Sequence, residues 1–227
     1  MRLHSLADMR TRKQAFSAET ALSHKRRETL SIDQDTALLL VDVQEGFKDP
    51  KWGKRNNPCA EANIARLLNS WRVNGQPIIH VQHVSQEDTS VFAPESPGMA
   101  LQEFVRPATG ELLVQKRVNS AFIGTELDRN LKERSATAVV IVGFTTDHCV
   151  SSTVRMAANL GYRTILVADG TATFERRSID KKPVDPEIIH QVHLLSLQGE
   201  FAEVLDTDVV LSLTDKNEGA ALTAGSC

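Results

Sequence analysis

Cys149 stands in the segment Gly143-Phe144-Thr145-Thr146-Asp147-His148-Cys149-Val150, directly after the apolar run Ala138-Val139-Val140-Ile141-Val142. The run reads as a buried strand, and Val150, Val154, Ala157, Ala158 and Leu160 recur after it at roughly helical spacing. A thiol at a strand-to-helix junction lies near the positive end of a helix dipole, where backbone N–H groups lack intrahelical partners. That setting lowers a thiol pKa and favours the thiolate. The same N–H groups can receive the anion that forms during acyl transfer. The competing reading is an inert core thiol, because free cysteines are commonly buried. Asp42 follows Ala37-Leu38-Leu39-Leu40-Val41, and a carboxylate at the end of an apolar run is costly unless it is paired or used. Lys116 closes Leu112-Leu113-Val114-Gln115, although solvation is the usual fate of a lysine. A reactive thiol needs a proton acceptor and a cation nearby, and these two residue types supply both.

These groups need elements that bring them together, and the chain supplies an alternation. The run 37–41 suits a strand buried on both faces. Residues 58–74 read as a helix: Pro58 suits a first helical position, Ile64, Leu67, Leu68 and Trp71 form one apolar stripe, and Gly75 is a stop. Further strands are expected at 77–84, 112–115, 138–142, 163–168 and 201–205, the one at 163–168 closed by Asp169-Gly170. Further helices are expected from Thr125 to residue 134, after Cys149, and over 186–197. Between residues 86 and 111, Pro94, Pro97, Gly98, Pro107 and Gly110 make a long loop with at most a short helix near 99–104. Loops of that length are often functional. The alternation predicts an α/β fold with three layers, α/β/α, around a mostly parallel, six-stranded, Rossmann-like sheet. In such sheets the site lies beyond the C-terminal strand ends, where Asp42, Lys116 and Cys149 all fall.

The 227 residues fit one ordinary domain with a sizeable core. A net charge of -3 argues against a dedicated nucleic-acid binder. No apolar stretch approaches the roughly 20 residues that span a bilayer, so no membrane partner is expected. No Gly-rich dinucleotide fingerprint follows the first strand, and no phosphate loop ends in Gly-Lys-Ser/Thr, so no nucleotide cofactor is expected. The sparse cysteines Cys59, Cys149 and Cys227 suggest no disulfide framework and a reducing, cytoplasmic setting. Cys59 reads as inert and Cys227 as a tail thiol. Residues 1–33 read as a basic arm, in which Arg2, Arg10, Arg12, Lys13, Lys25, Arg26 and Arg27 outnumber Asp8, Glu19 and Glu28. Its acidic residues fit a solvated arm, or a helix packed on a neighbouring subunit, better than an organellar transit peptide. The domain proper is expected over 34–213 and a flexible tail over 214–227.

Three segments stand in order, each at an expected strand end: Leu39-Leu40-Val41-Asp42-Val43-Gln44-Glu45-Gly46-Phe47, then Val114-Gln115-Lys116-Arg117 with Ser120-Ala121-Phe122, then the Cys149 segment. With Phe92 and Pro94, Gly124-Thr125 and Leu127, and Gly161-Tyr162 between and after them, the set resembles the isochorismatase-like cysteine hydrolases, a superfamily that includes nicotinamidases. The resemblance covers about residues 35–212. It implies a triad in which Cys149 is the nucleophile, Asp42 the general base and Lys116 the positive charge beside both. It also implies a cis peptide at Phe144–Thr145 and an oxyanion hole made by the backbone N–H groups of Thr145 and Cys149. The implied reaction is hydrolysis of a C–N bond in a small molecule (an amide, lactam or carbamoyl group) through a thioester, without cofactor or metal. The segment from Ala172 to Ala202 resembles a nicotinamidase-related subgroup that includes streptothricin hydrolase-like proteins. Vinyl ether hydrolysis of the isochorismatase type is the alternative reaction, although no basic cluster is set for a dicarboxylate. A catalytically silent scaffold and a thiol-redox protein are the alternative classes. Members of the superfamily are commonly oligomers, so a homo-oligomer, dimer or tetramer, is expected.

Around the triad, Phe47 and Phe122 lie inside matching segments and are expected to bind substrate together with His83. Trp52 and Phe174 are either further walls or ordinary core. His80 and His83, three apart on one strand, point to opposite faces, so His80 reads as structural and the pair cannot easily share a metal. The Asp-x-His…His metal set of nicotinamidases is not matched here. His148 invites a Cys-His dyad, but adjacent residues at a helix start point about 100° apart. Glu175-Arg176-Arg177 reads as a solvated charge cluster.

Overall fold

Ala37–Val41 is buried along its whole length, as an unbroken apolar run requires, and forms the strand β1. It occupies the middle of a six-stranded sheet in a computed structural model that describes residues 31–214. The remaining strands are β2 (Ile78–His83), β3 (Leu112–Lys116), β4 (Ala138–Phe144), β5 (Arg163–Ala172), β6 (Arg176–Arg177), β7 (Pro183–Val184) and β8 (Glu203–Leu205). All neighbours in the main sheet pair parallel, in the order β3-β2-β1-β4-β5-β8, while β6 and β7 form a separate antiparallel hairpin. The helices are α1 (Ala60–Asn74), α2 (Leu127–Glu133), α3 (Ser151–Asn159), α4 (Pro186–Leu197) and α5 (Thr207–Thr214).

The alternation along β1 sends Ala37, Leu39 and Val41 to one face and Leu38 and Leu40 to the other. The first face joins Leu127 and Leu131 of α2, Val154 and Ala157 of α3, and Leu194 and Leu197 of α4 in one core. On the other side α1 packs against the sheet and α5, with Ile64, Leu67, Leu68 and Trp71 fully buried as the stripe predicts. Helices thus cover both faces, which is what doubly buried parallel strands demand. β1 is flanked by β2 and β4, so successive connections leave it in opposite directions. The crevice beyond the C-terminal ends of β1 and β4 is therefore the topological switch point of the sheet, the usual ligand position in this class.

Several boundaries differ from expectation for local reasons. α1 starts at Ala60 and not at Pro58, because Asn57 takes a left-handed conformation (φ 41°) and its side-chain amide donates to the carbonyls of Ala168 and Thr171. Cys59 at that helix start is disulfide-bonded, contrary to the expectation that the cysteines form no disulfide and that Cys59 is a free, inert thiol. β5 runs through Asp169-Gly170 to Ala172 with a break in its register against β4. The Asp169 carboxylate is not free to close a turn, since it accepts from Asn63 and from the Thr207 amide and hydroxyl at the start of α5. α5 itself, with Val210 and Leu211 buried, was not expected. Leu160 lies 44 % exposed just past α3 and does not extend the apolar stripe. The long segment before β3 holds two 3-10 turns, Pro97–Met99 and Glu103–Val105. The arm expected over 1–33 and the tail expected over 214–227 lie, but for their inner ends, outside the described residues. No helix among the described residues is long and apolar enough to cross a membrane.

Candidate active site

The ends of β1 and β3 and the turn after β4 bring their groups to one point. The Lys116 ammonium is 2.7 Å from Asp42 Oδ2 and 3.2 Å from Cys149 Sγ. Asp42 and Lys116 are each 1 % exposed. β2 adds His83, the register partner of Lys116, whose Nδ1 is 3.3 Å from Lys116 Nζ. The fourth neighbour of the ammonium is the Val118 carbonyl oxygen at 3.2 Å. Apart from the ion pair with Lys116, neither Asp42 oxygen has a hydrogen-bond partner among the described residues. A buried carboxylate kept in this state has acceptor capacity in reserve for a proton.

The backbone explains how the groups are aimed. Asp42 takes the left-handed region (φ 54°), its amide still donating to the Val81 carbonyl, so the chain turns out of β1 at the residue whose side chain is needed. Aspartate tolerates that conformation better than most residues. At the same level of β4, Gly143 has φ 119°, and a Cβ there would overlap the Val41 carbonyl oxygen. Only glycine lets β4 approach β1 so closely at the switch point. The Phe144–Thr145 peptide is cis. Thr146–Val150 then forms one π-helical turn, with the Thr145 carbonyl accepting from the amides of His148 and Val150. Cys149 sits in that turn and not at a regular helix start. Such π-turns are frequent at functional sites.

The electrostatics overturn one expectation. Burial first, and the neighbouring Asp42 carboxylate second, push the Cys149 thiol well above its ordinary range, and the opposing Lys116 charge does not compensate. The resting thiol is therefore protonated. The favourable helix end is local, whereas the carboxylate and the loss of solvent act on the sulfur directly. Burial also opposes the Lys116 ammonium, but the Asp42 charge and the hydrogen bonds to Asp42 and Cys149 prevail and raise it, so the lysine stays charged. His83 is lowered by burial and by Lys116, against Asp42, and is neutral near pH 7.

Residues 36–209 match the family profile described as the isochorismatase domain. The chain belongs to the isochorismatase family of hydrolases. It is 45 % identical over 181 residues to the uncharacterized isochorismatase family protein YrdC of Bacillus subtilis, covering 80 % of this chain and 97 % of that one. A streptothricin hydrolase of Streptomyces noursei is 32 % identical over 142 residues, covering 61 % of this chain and 55 % of that one. An isochorismatase-family crystal structure from Chromobacterium violaceum superposes with a TM-score of 0.78 at 38 % identity, covering 82 % of this chain and 96 % of that one.

Within this isochorismatase-family chain the other expected site residues divide. Phe47 lies in a cluster with Phe92, Trp52, Phe144 and Phe174 at ring-centroid distances of 4.8, 5.5, 5.6 and 6.0 Å. Phe92 meets His83 edge-on at 6.0 Å, which ties the cluster to the triad. Phe122 belongs elsewhere: its ring contact is with Tyr162, in the core between α2 and α3, and not with the Phe47 cluster. His148 is half-exposed and turned to Asp147 and Arg176, so it forms no dyad with Cys149. His80 points away from the site and pairs with Glu111 at 2.7 Å. Arg176 is not merely solvated: with Thr173 it binds the Asp147 carboxylate and fixes the turn that carries Cys149.

The structure adds supporting residues that sequence reasoning did not single out. Gln44 accepts from the His83 amide and donates to the carbonyls of His83 and Met99, which braces β2 and the long loop. The Asn119 amide oxygen lies 3.8 Å from Cys149 Sγ. Both carry a signal in retrospect. Gln44 follows Asp42 by two residues and is fully buried, so its amide needs partners. Asn119 follows Lys116 by three, between the two matching stretches 114–117 and 120–122.

Proposed function

We propose that this chain is a cysteine-dependent amidohydrolase that cleaves a C–N bond in a small molecule through a thioester on Cys149. The observation that carries the reading is the buried Lys116 ammonium lying between the Asp42 carboxylate and the Cys149 sulfur, at 2.7 and 3.2 Å. A lysine in that position stabilises negative charge on either neighbour as the proton moves between them.

The protonated resting thiol fits a leaving group that needs a proton. Cys149 gives its proton to Asp42 as sulfur attacks the carbonyl carbon. The oxyanion is received by the backbone N–H groups of Thr145 and Cys149. The tetrahedral adduct expels the amine, which takes the proton from Asp42, and a thioester remains. Asp42 then removes a proton from water, hydroxide attacks the thioester, and the acid and the free thiol are released. Every proton taken up by Asp42 is returned, so the cycle needs no cofactor.

Phe92 lies beside His83 with Phe47, Trp52 and Phe174 in one cluster behind it, and this wall suits a substrate with a flat or apolar part. The similarity to a protein named streptothricin hydrolase supports hydrolysis as the reaction. The test is a panel of small amides, lactams and ureido compounds, read by mass spectrometry for the acid and by an ammonia or amine assay. Turnover of at least one member, abolished in Cys149→Ser, is expected. Equal turnover in the Cys149→Ser variant overturns the reading.

A further inference from the structure

We propose that Asp42, His83 and Cys149 form a latent site for a thiophilic divalent cation, kept closed to metal by the Lys116 ammonium that sits among the three donor atoms. One donor oxygen, nitrogen and sulfur from these residues all lie within 4.8 Å of one another. Lys116 Nζ is 2.7 Å from the oxygen, 3.3 Å from the nitrogen and 3.2 Å from the sulfur. The ammonium thus occupies the place that a tetrahedral ion would take.

The donor chemistry selects the ion. Carboxylate oxygen, imidazole nitrogen and thiolate sulfur are the ligand types of Zn²⁺ and, as a spectroscopic substitute, Co²⁺. Metal–ligand bonds of about 2.0–2.3 Å place tetrahedral donors roughly 3.3–3.8 Å apart, so the set needs to contract by at most about 1.5 Å. His83 Nδ1 faces an ammonium, which has only donors, so this nitrogen already presents its lone pair. Asp42 supplies an independent sign: it is 1 % exposed and, the lysine pair aside, both oxygens lack a hydrogen-bond partner among the described residues. Gln44 holds the His83 backbone through two hydrogen bonds and ties it to the long loop through a third, to the Met99 carbonyl, so the strand end that carries the nitrogen is fixed before any ion arrives.

Lys116 is accordingly a gatekeeper as well as a catalytic charge. It fills the space and repels a dication, so the thiol stays available to substrate in a cell that contains zinc. When the ammonium is removed, M²⁺ binds with loss of the Cys149 thiol proton to solvent: one metal–sulfur bond forms, one S–H bond breaks, and no electron is transferred. The inference rests on the donor geometry alone and holds whichever bond the enzyme cleaves.

The test compares full-length wild-type protein with Lys116→Ala, and with Lys116→Ser as a second truncation, each checked for folding by circular dichroism. Co²⁺ is titrated while the thiolate-to-cobalt charge-transfer band in the near ultraviolet is followed. Zn²⁺ binding is measured by competition, with protection of Cys149 from iodoacetamide as a second readout. One equivalent of metal per chain is expected in the truncated variants, bound at least about tenfold more tightly than in wild type, the least that removing a contact positive charge yields even in water. The band is expected to vanish when Cys149→Ser is added, and protection to be reversed by a chelator. A folded Lys116→Ala or Lys116→Ser protein without the band overturns the proposal. So does wild-type protein that binds the metal as tightly as the variants.

Discussion

Asp42→Asn is expected to stop turnover and at the same time to make Cys149 more reactive toward alkylation. The two effects have one cause. In the native site the Asp42 charge, after burial, is the strongest influence holding the thiol protonated, while Lys116 pulls the other way. The carboxylate and the sulfur lie within 4.8 Å. Two unit charges at that separation interact by roughly 3 kcal/mol at an effective dielectric of about 20. Removing the carboxylate and keeping Lys116 at 3.2 Å from Sγ therefore raises the thiolate population at neutral pH by about two decades. A less basic thiolate is a weaker nucleophile, with a Brønsted slope of about 0.4–0.5, so the net gain in alkylation rate is about tenfold. The assay is the rate of iodoacetamide addition to Cys149 as a function of pH, followed by intact-protein mass spectrometry, alongside turnover. The midpoint of the alkylation profile moves to lower pH in the variant. An unchanged or higher midpoint, or slower alkylation at neutral pH, refutes the electrostatic reasoning.

Three further outcomes follow from the same contacts. Lys116→Met leaves the Asp42 carboxylate buried without its cation, and a loss of about 3–5 kcal/mol in urea unfolding is expected, together with slower alkylation of Cys149 because the charge that lowers the thiol is gone. Asp147 is held at about 2 against 3.8 by Arg176 and Thr173, which outweigh the opposing effect of burial. A depressed carboxyl contributes stability above its unfolded value, here about 2 kcal/mol at neutral pH, and loses it as pH falls through about 2. Asp147→Asn is therefore expected to lose about that much at pH 7 and to show a flatter stability profile below pH 4, measured by denaturant titration. Gly143→Ala would place a Cβ against the Val41 carbonyl at a positive φ, and a loss of about 3 kcal/mol or more is expected in the same measurement.

The strand ends were legible because parallel strands buried on both faces write themselves as apolar runs; Asp42 and Lys116 each terminate one, and Cys149 follows another in the turn after it. The opposite facings of His80 and His83 followed from the two-residue period of a strand, and the structure sends them to Glu111 and to Lys116. What the residues could not show was how far the sulfur is buried and how the charges of Asp42 and Lys116 balance around it. The helix-end argument gave a low thiol pKa, whereas burial and Asp42 raise it. The aromatic partners of Phe47 come from four separate segments, and only the fold decides that Phe144 and Phe174 join it while Phe122 goes to Tyr162. α5 was missed because the chain turns directly from β8 into a short helix whose cap, Asp169, lies 38 residues earlier. The hairpin of β6 and β7 is two residues deep on each strand, too short for any periodicity to register.

The central claim is that Cys149 carries the acyl group of the substrate during turnover. The most direct test is to quench a reacting mixture in acid within the steady state, digest it, and weigh the peptide that contains Cys149. The account predicts an adduct on Cys149 with the mass of the acyl half, formed and lost on the turnover timescale. Turnover that proceeds with this peptide always unmodified, and at an undiminished rate in Cys149→Ser, would contradict it.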